Sequence, residues 1–375
     1  MRGSRLKTRV EESLVRQGFA IQNGRLLPEE VTDKGRLREV HALSVQHKRD
    51  RAKKYLARYE TDLLRRYASG TEVRPTLVTP KLVEVRPDSE DELLFRYASL
   101  HWSIPVSSGY GRRLRFLVID QQNDKLIGLI GLGDPVFSLR PRDAFIGWTQ
   151  ETRRTKLKHV MDAFVLGAVP PYSFLIGGKL VAMLASSDEV RDAFSRKYKG
   201  TSTLIRGMQF DGRLAMVTTT SAFGRSSQYN RTKFEGRLLF QSVGYTKGSG
   251  DFHFANGLYG AMQDYTREHF EPTAKQALWG TGFRNRREVI KRCLAGLGLS
   301  TDWLYHGVKR EVFLAPLAHN SAKFLRGEAS RLRWFSRTTV DISEHCRSRW
   351  MVPRAQRDAS YLDFRPESYR LWPDD

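Results

Sequence analysis

RLRFLVIDQQNDKLIGLIGLG, residues 113–133, is the stretch whose reading decides the fold. Two apolar runs, Arg113–Asp120 and Lys125–Gly133, flank the short polar segment Gln121–Asp124. The pattern predicts a hairpin of two well-buried strands. Gly128, Gly131 and Gly133 are spaced GxxGxG, not the GxGxxG of a dinucleotide turn, and no Lys-Ser/Thr pair follows as in an ATP loop. Those glycines therefore read as strand positions under tight packing. Behind the hairpin, after Asp134-Pro135, DAFIGW (Asp143–Trp148) reads as a further strand.

Working outward, the segment Gly70–Pro80, with Pro75 and Pro80, ends a basic helical region that occupies residues 1–75. Within that region Thr8 and Glu11 have capping-box spacing, and Pro28-Glu29-Glu30 suits a first helical turn. Val40, Leu43, Tyr55, Leu56, Tyr59, Leu63 and Leu64 recur at mostly helical spacings, with Lys and Arg on the other faces. Such a helix is either a packing stripe under a solvated face or an arm that lies on phosphates. Ser89 with Glu92, and Ser186 with Glu189, mark two more helix starts. Val160–Val169 reads as a buried strand or helix and Lys179–Ala185 as a helix, while Arg213–Thr220 and Arg237–Thr246 read as strands. The alternation over 76–255 argues for one mixed α/β (α+β) domain. Residues 256–375 form a basic C-terminal region, with helices at Asn256–His269 and Asn285–Leu297 and a strand at Arg310–Leu317. Its Trp303, Trp334, Trp350 and Trp372 stand among arginines, as either a stacking surface or ordinary core.

Charge narrows the ligand. The chain has 375 residues, 63 Lys and Arg against 41 Asp and Glu, and a formal charge of +22. Phosphate backbones attract such an excess through counterion release, so nucleic acid is the expected partner. Two cysteines, Cys293 and Cys346, neither in a CxxC pair, exclude a disulfide scaffold and a cysteine zinc finger, and fit a reducing cytoplasm. The opening MRGSRLKTRVEES has no apolar core, so no signal peptide is expected. The longest apolar region, Val160–Ala185, is broken by Asp162, Pro170, Pro171, Gly177, Gly178 and Lys179, so no membrane span is expected either. HExxH is absent and the nine histidines show no ligand spacing, so no metal site on His is expected.

The chemistry-bearing segment is Thr218–Phe254, TTTSAFGRSSQYNRTKFEGRLLFQSVGYTKGSGDFHF. Ser221, Ser226, Ser227 and Tyr229 offer hydroxyl nucleophiles, Arg225, Arg231 and Lys233 offer phosphate contacts, and His253 offers a proton shuttle. The other reading is a ligand-binding turn without chemistry. Magnesium would need paired acids, and Asp120, Asp134, Asp143, Asp162 and Glu268 supply candidates with no diagnostic spacing. Asp143 is the best of them. The expected catalytic set is thus Tyr229, Ser226, His253 and Asp143. The expected nucleic-acid set is Arg225, Asn230, Arg231, Lys233, Lys247 and Trp148, with Tyr229 and Trp148 stacking on bases.

Four runs in order also carry a likeness: RLRFLVI (113–119), GLIGLG (128–133), RDAFIGW (142–148) and VGYTKGSG (243–250). Together they resemble the DruA domain family of Druantia anti-phage systems, whose relatives also stand beside or fused to transposase-like proteins. The resemblance covers roughly residues 90–255. It implies a part in defence or mobile DNA alongside partner proteins such as a helicase or nuclease, as an enzyme that cuts, joins or modifies DNA or as a non-catalytic adaptor. The LIGLIGLG and VGYT strands further resemble a Gcn5-type acyltransferase core, as in Mom-like DNA-modifying proteins. Acyl-CoA would then be the cofactor, but Gln241–Thr246 departs from the Q/R-x-x-G-x-G/A loop by a threonine at its last position.

Overall fold

The computed structural model describes residues 3–27, 33–107, 109, 111–202, 207, 209–272 and 283–373. The predicted hairpin is present as β2 (Arg113–Asp120) and β3 (Lys125–Gly133), antiparallel, with register Arg113 to Gly133 at the open end and Asp120 to Lys125 at the turn. Its glycines serve packing. A Cβ on Gly128 would lie 2.3 Å from the Gly167 carbonyl oxygen, and one on Gly131 2.5 Å from the Phe164 ring.

Around the hairpin grows a seven-stranded mixed sheet. Its other strands are β1 (Pro80–Glu84), β4 (Val160–Ala168), β5 (Met216–Thr220), β6 (Gln241–Tyr245) and β7 (Glu311–Pro316), in the spatial order β1-β2-β3-β4-β5-β7-β6. Only β4 and β5 run parallel, from Val160 beside Met216 to Ala163 beside Thr219; β4 then continues alone on that side to Ala168. Strand β7, from beyond residue 255, lies between β5 and β6, the two strands that flank the polar segment in sequence.

Helices cover both faces. On one, Gly177–Leu184, Asp188–Tyr198 and Thr339–Cys346 bury a core that includes Leu180, Val181, Phe194, Phe313 and Ile342. On the other, α2 (Lys34–Leu56), α3 (Glu90–Ser99) and α4 (Arg140–Ile146) send Leu56, Leu94 and Ile146 into cores with Leu117, Leu129 and Val160 of the sheet; α5 (Gln150–Lys156) follows α4, and α1 (Gly3–Arg16) joins a separate core. The N-terminal helices pack against the C-terminal region: Leu6, Val10 and Leu14 of α1 share a core with Leu258, Met262, Ile290 and Trp303. That burial of apolar area fixes the N-terminal layer to the rest of the chain.

Several local expectations are corrected. DAFIGW is not a strand: Arg140–Ile146 is a helix with Pro141 in its first turn, ended by Gly147 in the left-handed region at φ 78°. Thr8 is not a cap, because α1 already runs from Gly3, and its hydroxyl donates to the Ser4 carbonyl one turn back. Ser187, not Ser186, caps the next helix, accepting from the Val190 N–H. The run 237–246 is not one strand, since Arg237–Leu238 instead pairs with Lys233–Phe234 in a separate small hairpin. Leu43 and Tyr55 are exposed, so the packing stripe of α2 rests on Leu37, Val40, Val45 and Leu56. Trp303 is core, its indole N–H donating to the Gly24 carbonyl. Pro28–Glu30 lies outside the described residues. The Ser89 cap, the strand at β7 and the helices Leu258–His269 and Phe283–Gly296 stand where the sequence puts them, within two or three residues. Among the described residues, no helix is long and apolar enough to cross a membrane.

Candidate functional site

The polar segment leaves the end of β5 and is organised from beneath by one acid. Glu311, at the start of β7, is only 5% exposed. One of its carboxylate oxygens accepts from the Ser242 hydroxyl at 2.6 Å; the other accepts from the Ser226 N–H at 3.3 Å and the Asn230 amide at 3.4 Å. Its backbone is tied as well, since the Glu311 N–H donates to the Ser221 hydroxyl at 2.9 Å and the Ser221 N–H to the Glu311 carbonyl at 2.8 Å. All three of these donors to the buried carboxylate are neutral, so the loop's own cations are not drawn inward.

They point out instead. Arg225, Ser227, Arg231 and Lys233 are exposed, as is Lys247 past β6. Arg225, Arg231, Lys233 and Lys247 have no ion pair among the described residues. Arg231 sits at φ 62°, a backbone conformation uncommon for a side chain of this size. The Ser226 hydroxyl accepts from the Gln228 N–H at 3.2 Å, a local turn that tightens the loop.

The four expected catalytic residues do not converge. Tyr229 faces inward, 7% exposed, between Phe240 and Phe313 with ring centroids 5.0 and 5.1 Å away. Burial pushes its phenol up to about 12. No exposed face of that ring is left for a base to stack on. His253 lies in a separate cluster where α2 meets the 252–254 turn. It is wholly buried, its Nε2 2.8 Å from the Trp303 carbonyl, and burial lowers it to about 4. His306 is 5.4 Å away between ring centroids, and His41 lies against Phe252 with the rings tilted and 4.1 Å apart; burial lowers these to about 2 and about 3. Ser226 alone stays with the loop.

Asp143 anchors a second unit. Its carboxylate accepts from Arg142 Nε at 2.9 Å, from Arg153 Nη1 at 2.9 Å and from the Leu139 N–H at 3.0 Å. Arg142 is wholly buried and also donates to the carbonyls of Val136 at 2.9 Å and Phe137 at 3.2 Å. Trp148 is partly buried, its indole N–H donating to the Leu325 carbonyl at 2.7 Å. Nearby on β4, Asp162 accepts from the Thr218 hydroxyl at 2.6 Å; burial raises its carboxyl, against the opposing pull of Thr218 and Arg142.

Among the described residues, no three of His, Cys, Asp and Glu gather as metal ligands. Asp143, the best magnesium candidate by sequence, already has both oxygens committed to arginines and a backbone N–H. The donor set does not fit magnesium. Sequence reasoning missed Glu311, whose signal was a lone acid at the mouth of the apolar strand VFLAP.

Comparison with known proteins gives concordant results. A family model described as Druantia protein DruA matches residues 32–327. A Druantia protein DruA of Escherichia coli (strain UMEA 4076-1) is 40% identical over 375 residues, covering 99% of this chain and 90% of that protein. No solved structure matches.

Proposed function

Because the chain belongs to the DruA family, a component of Druantia anti-phage defence, we propose that it serves that defence by binding DNA through the loop 221–233. One observation carries the reading. A buried acid holds the loop by neutral donors, and the loop's Arg225, Arg231 and Lys233 stand exposed, without an ion pair among the described residues, in a chain of charge +22. Phosphates are the ligand such cations fit, and Asn230 and Ser227 add neutral hydrogen-bonding groups to the same loop. The chain would act as a docking component, and the strand chemistry would belong to a partner such as a helicase or nuclease.

Labelled duplex DNA titrated across a salt series tests this. Binding that falls steeply with salt and leaves the DNA unchanged is the expected result. A cleaved or covalently attached product that Ser226→Ala abolishes would replace docking with catalysis.

A second reading, a Mom-like DNA-modifying acyltransferase on a Gcn5-type core, has one observation in its favour. The sheet holds a single parallel pair, β4 and β5, which part after Ala163 and Thr219 and are followed, on the β4 side, by a helix from Gly177. Against acyl-CoA stands Gln228, whose amide donates to the Leu166 carbonyl at 3.0 Å, just where the strands part. The side chain holds ground that a pantetheine-sized arm would need. Thermal stabilisation of the Gln228→Ala protein by acetyl-CoA would favour this reading; no shift in either protein would remove it.

A further inference from the structure

The segment 134–156 presents what the family-like motif RDAFIGW holds in place. Arg142 and Asp143 bind the 136–139 turn to α4 and α5, Gly147 ends α4, and Trp148 fastens it to the Leu325 carbonyl. All four are used internally. What they display is apolar and basic: Val136, Phe137 and Phe145 are 36%, 50% and 45% exposed.

Exposed rings alone would suit a protein partner, but two of the cations around these are left without an acid. Arg140 and Arg154 are exposed with no ion pair among the described residues. The Arg153 guanidinium lies over Phe137, 4.6 Å from its centroid. A little further on, Lys156 and Arg213 lie over the buried Phe324, at 4.5 and 4.7 Å, and add charge rather than an exposed ring. Burial first, then Arg213, lowers the Lys156 ammonium. Arginine and phenylalanine also occur together at protein interfaces, but arginines without an acid partner, in a chain of charge +22, select a polyanion, and rings beside such cations suit stacked bases on a phosphate track.

We infer that the 136–154 surface binds single-stranded DNA, with Phe137 and Phe145 stacking on bases and Arg140 and Arg154 contacting phosphates. This rests on the reading of the chain as a DNA-binding component and adds a strand preference at a second place. Duplex bases are already stacked on each other, so exposed rings gain little there. A splayed single strand offers its faces.

The test compares labelled oligo(dT) with a hairpin duplex, using the full chain and two double variants. Phe137→Ala with Phe145→Ala removes the rings; Arg225→Ala with Arg231→Ala removes the loop cations. The ring variant should weaken oligo(dT) binding by about tenfold or more while leaving duplex binding unchanged. Phe137→Tyr with Phe145→Tyr should restore it. Unchanged oligo(dT) affinity in the ring variant overturns the inference, as does an equal loss on both DNA forms. Failure of the DNA-binding reading itself looks different: neither DNA form binds the wild-type chain, or the loop variant binds duplex as the wild type does. Wild-type DNA binding of the ring variant together with loss of a co-purifying protein would make the patch a protein interface and also overturn the inference.

Discussion

Two buried carboxylates, Glu311 and Asp143, each hold a surface loop, and they do so with opposite chemistry. Glu311 gathers a serine hydroxyl, an asparagine amide and a backbone N–H, so the arginines of its loop stay free. Asp143 gathers two arginines, Arg142 and Arg153, so these are consumed within the unit, and its surface presents phenylalanines beside Arg140 and Arg154. The partner chosen by the acid decides what the loop can offer a ligand. A neutral cage leaves charge for phosphates; an ion-paired cage leaves rings for bases.

A third buried polar cluster, of histidines without a carboxylate, sharpens the contrast and carries the largest expected effect. His41, His253 and His306 are lowered by burial to about 3, 4 and 2. Between roughly pH 6.5 and 4 the unfolded chain binds protons on these residues that the folded chain refuses, so stability falls as pH falls. Going from pH 7 to 5 should remove on the order of 5 kcal/mol through these three, on top of the share of the likewise lowered His101 and His159, read as a lower midpoint in denaturant. A flat profile over that range would mean the cluster is not buried neutral.

Next comes Asp143→Ala. It strands the wholly buried Arg142 without its anion, which should lower stability by about 3–5 kcal/mol. Glu311→Ala removes an acceptor shared by three neutral donors and should lower stability less, by about 2–3 kcal/mol. It should also speed tryptic cleavage after Arg225 and Arg231, a readout that Asp143→Ala should not reproduce at those bonds. If the two variants destabilise equally and open the same bonds, the comparison between the cages fails. Smallest in stability is Arg225→Ala with Arg231→Ala, within about 0.5 kcal/mol of the parent in thermal unfolding. Its effect belongs to binding: the slope of log affinity for duplex against log salt should shrink by about 2.

Much of the fold was legible. Residues 113–133 declared their hairpin because long apolar runs leave few alternatives to buried strands. The likeness of four ordered runs to the DruA family was legible too, and the family match bears it out. Two things were not. The insertion of β7 between β5 and β6 joins residues far apart in sequence, as Ser242 with Phe313 or Thr219 with Phe313, and no local pattern encodes such pairing. DAFIGW misled because a short apolar run suits strand or helix alike, and Pro141 at a helical first turn was the discriminating signal. At the site, the exposed cations of 225–233 were readable as a polar run. The inward turn of Tyr229 and the outward turn of Phe137 and Phe145 depend on packing partners from distant strands and helices, and composition does not carry that.

The most direct measurement is photo-crosslinking of the full chain to DNA carrying halogenated thymidine analogues, with adducts mapped by peptide mass spectrometry. The account predicts adducts on peptides spanning 222–233 with duplex DNA, lost in Arg225→Ala with Arg231→Ala. Adducts confined to the helices before residue 70, with the 222–233 peptides unmodified, would contradict it.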